Sequence, residues 1–131
     1  MTEEEKALIE YRMERARQAI EEARTMFDAG YINAYVSRLY YACFYAVSAL
    51  LLTRNFSTSK HGYLRSLMHR EFVKTGFIPE ELSKHFDLLF NNRLKGDYAD
   101  FATFEAEDVS AWLEVTRNFV AHIEEVLSKL E

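Results

Sequence analysis

Residues 34–52, AYVSRLYYACFYAVSALLL, carry one charge, Arg38, and place apolar side chains on every side of a helical wheel. A helix that is apolar all round must be covered all round, by protein or by lipid. Lipid fits poorly. The uninterrupted apolar part, Leu39 to Leu52, is shorter than the roughly 20 residues a bilayer span needs. It also holds Tyr40, Tyr41, Tyr45 and Ser48, with Arg38 beside it. The stretch therefore reads as the central helix of a helical bundle, and no membrane partner is expected.

The flanking sequence supplies the helices that would cover it. Thr2 followed by Glu5 fits a capping box, and Ile9, Met13, Ala16, Ile20, Ala23 and Phe27 alternate spacings of four and three. This predicts a first helix over 3–29 with a narrow apolar seam, stopped by Gly30 and packed antiparallel to the second. The second helix runs from about residue 32 or 33 to Arg54. Ser57, Thr58 or Ser59 is expected to cap a third over about 61–75, ended by Gly76, with His61, Arg65 and His69 on one polar face. Pro79 opens a fourth with Leu82, Phe86 and Leu89 inward. The segment 95–104, KGDYADFATF, reads as an irregular link broken at Gly96. A fifth helix over 105–129 turns Val109, Trp112, Val115, Phe119, Val126 and Leu130 to one side, widened by Leu113, Val120, Ile123 and Leu127. The expected fold is all-α, an up-and-down bundle of four to five helices forming a single domain over residues 1–131. Four glycines and one proline are too few for a turn-rich β fold.

Charge narrows the function classes. The net charge is −5, yet between Val36 and Ile78 six bases face one acid, Glu71, so that window is +5 and the remainder −10. Overall acidity argues against non-specific nucleic-acid binding. The basic middle implies either an anionic ligand or charge complementarity within the bundle or across a dimer. Cys43 reads as a small buried hydrophobe. With one cysteine and no secretory signal, a cytoplasmic location is expected. No metal is expected: Glu-x-x-His is absent, and His61, His69, His85 and His122 lack partners at ligand spacing. Neither a GxxxxGK phosphate loop nor a GxSxG elbow occurs, and no cofactor is expected.

One residue breaks the pattern. Arg93 falls where the inner stripe of the fourth helix calls for an apolar side chain. A guanidinium there must be paired or face a cleft. Asp97 and Asp100 are close enough in sequence to pair with it, and Tyr98 adds a hydroxyl. Arg38 is a second inward cation, with Tyr41 and Tyr45 on roughly its face. Together these groups could hold a phosphate and stack a base; equally, an Arg–Asp pair could simply pin the link. The segment 57–62, STSKHG, offers small hydroxyls, Lys60 and His61 at a helix start, a phosphate site or an ordinary capped start. His122 reads as an edge residue.

From Arg38 the second helix reads RLYYACFYAVSALLL; Lys60-His61-Gly62 opens the next, and Arg93-Leu94-Lys95-Gly96-Asp97-Tyr98 closes the fourth. This combination, over nearly the whole chain, resembles the HEPN domains (higher eukaryotes and prokaryotes nucleotide-binding). It is most similar to the small stand-alone prokaryotic branch with an R-x4-Y motif. The resemblance implies a five-helix bundle, a homodimer, and a minimal nucleotidyltransferase as partner in a toxin–antitoxin pair. There the HEPN protein is an endoribonuclease whose Arg-x4–6-His motif assembles across the dimer. Arg93 matches the arginine; Tyr98 stands where the histidine first could, and neither Ala99 nor Asp100 supplies one. Tyr98 is also the candidate for adenylation by the partner, although the typical modified position holds Asp100. Three readings follow. The first is a non-catalytic module that binds nucleotide or RNA, or serves a nucleotidyltransferase, through Arg38, Tyr41, Tyr45, Lys60, His61, Arg93, Asp97 and Tyr98. The second is a metal-independent ribonuclease toxin in which Arg93 stabilises the phosphorane and Tyr98 or a displaced histidine moves protons. The third is a dimeric scaffold without a ligand.

Overall fold

A computed structural model describes residues 1–98 and 104–130, with the backbone alone described for 94–98. Helix α1 spans Glu3–Asp28. The Thr2 hydroxyl accepts from the Glu5 amide at 3.0 Å, and the Glu5 carboxylate accepts from the Thr2 amide at 3.2 Å, completing the capping box. The Thr2 bonds hold the Glu5 carboxyl below its ordinary range. Gly30 follows at φ +85°, a left-handed stop that favours glycine. Helix α2 spans Ile32–Leu52. It runs antiparallel to α1: Arg12 meets Ser48, Arg15 meets Tyr45, Glu22 meets Arg38 and Phe27 meets Tyr35, each pair stepping back along α2 as α1 advances. Ala16, Ala19 and Ala23 on α1 and Ala42, Ala46 and Ala49 on α2 are all buried, which lets the two backbones approach closely.

The remaining elements close over α2. Helix α3 spans His61–Met68 and passes into a π-helical segment, His69–Val73, where the Lys74 amide donates to the His69 carbonyl at 3.0 Å. The single third helix expected over 61–75 is thus two windings, ended as expected at Gly76 with φ +87°. None of Ser57, Thr58 or Ser59 caps it. Lys60 occupies the cap position, and the Thr58 hydroxyl accepts from the Lys60 amide instead. Helix α4 spans Glu80–Tyr98, with the Pro79 carbonyl accepting from the Leu82 and Ser83 amides. It continues past Gly96, so the expected break there does not occur before Tyr98; the rest of the link, through residue 103, lies outside the described residues. The expected fifth helix is interrupted. Helix α5 spans Ala106–Val109 and helix α6 spans Trp112–Leu130. The Tyr35 hydroxyl donates to the Val109 carbonyl at 2.8 Å, a bond from α2 that fixes the chain where α5 ends.

Pairs between α4 and α6 (His85 with Thr116, Phe86 with Phe119) and between α1 and α6 (Arg17 with Glu124) complete an up-and-down bundle. All described elements are helices or turns, an all-α fold. Helix α2 contacts α1, α3, α4 and α6. It is long and apolar enough to cross a membrane, but most of it is buried by the chain itself. Its buried residues join Met13, Leu64, Phe72, Phe86, Leu89, Phe119 and Ile123 in one core. Leu130, expected on the inner side, is 36% exposed.

Candidate functional site

Arg93 is 7% exposed, as its place on the inner stripe of α4 requires. Its neighbours come from α2. The guanidinium carbon lies 5.1 Å from the Tyr40 ring centre and 5.8 Å from that of Tyr41, and Nη1 donates to the Tyr41 hydroxyl at 3.3 Å. A guanidinium over aromatic faces is stabilised by their ring quadrupoles, and more strongly when desolvated. Arg38 lies against the same ring: its guanidinium carbon is 5.0 Å from the Tyr41 centre, with Nη1 3.5 Å from Glu22. The two inward arginines thus share one side of the bundle, with Tyr41 between them.

A third element completes the cluster. At the start of α3 the His61 Nδ1 lies 2.7 Å from the Tyr40 hydroxyl, and its ring sits 4.6 Å from that of Phe44. Burial, followed by the positive charge of Arg93, holds the His61 pKa below its ordinary value. Burial also pushes the Tyr40 phenol up, against the pull of Arg93. The phenol therefore stays protonated: where it donates to Nδ1 the neutral imidazole keeps its proton on Nε2, and where Nδ1–H donates to the phenol oxygen Nε2 is left bare to accept a proton. Chemically, this places a buried cation at the ring and a neutral imidazole at the hydroxyl of one tyrosine. Such a pair can meet a phosphate with charge and exchange a proton with a nearby hydroxyl.

The chain belongs to the HEPN family. The family profile described as "HEPN domain" matches residues 9–126, nearly all of the chain. A "UPF0332 protein" of Thermotoga maritima is 40% identical over 131 residues, 100% of this chain and 98% of that one. "Putative toxin MJ0605" of Methanocaldococcus jannaschii is 32% identical over 128 residues, 98% of this chain and 92% of that one.

Within this HEPN chain the expected site residues are distributed unevenly. Arg93, Arg38, Tyr41 and His61 come together. Tyr45 adjoins them, its ring 6.2 Å from that of Tyr41, but its hydroxyl accepts from Arg15 at 3.0 Å. Lys60 is exposed and takes no part in the hydrogen bonds holding the cluster. The side chains of Asp97 and Tyr98, and all of Asp100, lie outside the described residues. The polar face expected from His61, Arg65 and His69 divides: His61 turns to Tyr40, while Arg65 Nε and His69 Nε2 share Asp87 Oδ1 at 2.6 and 3.1 Å. His122 is half-buried against the Phe77 carbonyl at 2.7 Å, an edge residue as expected.

Sequence reasoning missed Tyr40. Its position in α2 announces burial, but its partners lie on α3 and α4, and no local spacing encodes them. Much of the basic middle is met inside the bundle: Arg38 by Glu22, Arg54 and Arg70 by Glu71, Arg65 by Asp87.

Proposed function

We propose that the chain is a toxin-like HEPN module whose Arg93 cluster engages a phosphate of RNA or a nucleotide, in a system shared with a minimal nucleotidyltransferase. The observation that carries this reading is that Arg93 and His61, from two different helices, both meet Tyr40, one at its ring and one at its hydroxyl. The relative named as a toxin supports the setting. The partner is part of the proposal and rests on the family resemblance. Binding of a fluorescently labelled oligoribonucleotide, followed by anisotropy, tests it. Arg93→Gln is expected to weaken binding by about tenfold or more, as loss of a charge-assisted hydrogen bond does. Circular dichroism checks that the variant remains folded. Unchanged affinity in a folded variant would sink the assignment of this cluster. Co-expression with a minimal nucleotidyltransferase encoded beside this chain should give a complex that survives purification.

His61 favours a second reading, a metal-independent ribonuclease. Here the Nδ1–H tautomer of His61 donates to the Tyr40 oxygen, and its bare Nε2 takes the proton of the RNA 2′-hydroxyl as that oxygen attacks phosphorus. Arg93 stabilises the charge on the phosphorane, the P–O5′ bond breaks, and the His61 imidazolium gives its proton to the departing 5′-oxygen. Cleavage in excess EDTA that leaves a 2′,3′-cyclic phosphate, and that disappears in both His61→Gln and Arg93→Gln, is the expected result. Cleavage that persists in both variants would place the chemistry elsewhere.

A further inference from the structure

The protein has more carboxylates than cations, 21 against 16. Most of its arginines have found one: Arg17, Arg24, Arg38, Arg54, Arg65, Arg70 and Arg117 each lie within 4.0 Å of a Glu or Asp. Arg12 and Arg15, one turn apart on α1, have no carboxylate partner among the described residues. Neutral groups hold them instead. Arg12 donates to the Ser48 carbonyl at 3.2 Å and reaches the Ser57 hydroxyl at 3.4 Å. Arg15 donates to the Tyr45 hydroxyl at 3.0 Å, with its guanidinium carbon 5.0 Å from the Tyr45 ring centre. Arg12 is half-buried, and burial lowers its pKa with no charge to offset the cost. Two cations kept from carboxylates in an acidic protein are available to an outside anion.

They line a groove of about 410 Å³ between α1, α2 and the segment 57–59. That volume falls in the range of about 300–1,000 Å³ typical of small-ligand sites. Besides the two guanidiniums, its walls carry the rings of Tyr11, Phe44 and Tyr45 and the hydroxyls of Ser57, Thr58 and Ser59. A ligand that satisfies all three kinds of wall has negative charge, several hydrogen-bonding oxygens and a flat aromatic part. We infer that this groove binds a nucleotide, its phosphate on Arg12, Arg15 and the 57–59 hydroxyls and its base against the tyrosine rings. The site is distinct from the Arg93 cluster. Phe44 joins the two, forming one wall of the groove and packing its ring against that of His61.

Calorimetric titration of the full chain with 5′-AMP, adenosine and inorganic phosphate tests the assignment. 5′-AMP is expected to bind about tenfold or more tightly than either fragment. 5′-AMP binding should persist in Arg93→Gln, which removes the other phosphate-binding cluster, and in that background Arg12→Gln and Arg15→Gln should each weaken it by about tenfold or more. Arg12 also braces the Ser48 carbonyl, so Ser59→Glu on an exposed hydroxyl serves as a variant that leaves the fold alone; its added charge should expel 5′-AMP. Competition by hexa-adenylate with and without a 5′-phosphate then separates sources. Equal competition assigns the groove to an internal phosphodiester, and competition by the phosphorylated form alone assigns it to a chain end. Absence of 5′-AMP binding at millimolar concentration, binding indifferent to the three groove variants, or binding that depends on Arg93 instead would overturn the proposal. The Arg93 assignment stands or falls separately, on oligoribonucleotide binding by Arg93→Gln.

Discussion

His85 shows how burial converts a titratable side chain into a pH-dependent element of stability. It lies between α4 and α6, 7% exposed, with Nε2 2.9 Å from the Thr116 hydroxyl. Burial takes its pKa from 6.5 down to about 4. The folded chain thus holds His85 neutral where the unfolded chain would protonate it. The unfolded state then binds more protons, and stability falls as pH drops from about 6.5 toward 4. At about 1.4 kcal/mol per pKa unit the loss from His85 reaches about 3 kcal/mol. His61, shifted in the same direction, adds to it in the upper part of that window. Urea denaturation at pH 7 and pH 4.5 should show the loss, and His85→Gln should flatten it. A slope unchanged in His85→Gln would assign the pH dependence to other groups. At this scale the sequence was partly legible. Arg93 was visible because it interrupts the rhythm of Leu82, Phe86 and Leu89, and it is buried as that rhythm requires. Tyr40, the residue Arg93 packs on, was not, because a cation–ring contact between helices leaves no mark on either helix alone. Arg12 and Arg15 carried no sequence signal, since only the fold shows which cations lack carboxylates.

Elements were legible where local signals agree. The capping box, the heptad seam and Gly30 together define α1, and its ends fall within one residue of expectation. They were not legible where a distant side chain decides. The stop between α5 and α6 involves the Tyr35 hydroxyl, 74 residues away from Val109. The looser winding of 69–73 has no signal in HREFV, and Gly96 failed to break α4. Between α1 and α2 the alanine stripe is the sensitive feature. Ala16 is 0% exposed, so Ala16→Leu must push the helices apart. It is expected to cost about 1–3 kcal/mol, as overpacked cores do, measured as a lower urea midpoint at constant slope. A neutral result would mean that the interface has slack the burial does not suggest.

For the molecule as a whole, charge decides how it meets RNA. A body at −5 repels a polyanion at long range, so binding depends on a few cations placed at short range. With Arg12 and Arg15 on one phosphate and Arg93 on another, as proposed above, two phosphates are neutralised. The logarithm of the oligoribonucleotide affinity should then fall with the logarithm of salt concentration at a slope of about −1.4. A slope near zero would mean that binding is not phosphate-driven, and one much steeper would add cations such as Lys60 or Lys74.

The burial of α2 on all sides has a consequence for synthesis. Its last cover, α6, ends 78 residues after Leu52. At about 5–20 residues per second, the ribosome takes roughly 4–16 s to make that distance. Throughout that interval the nascent chain carries a segment apolar enough to pass for a membrane span with the face that α6 covers still open. Messages cut short before α6 would release it with that face permanently uncovered, a product destined for chaperones, proteases or aggregates.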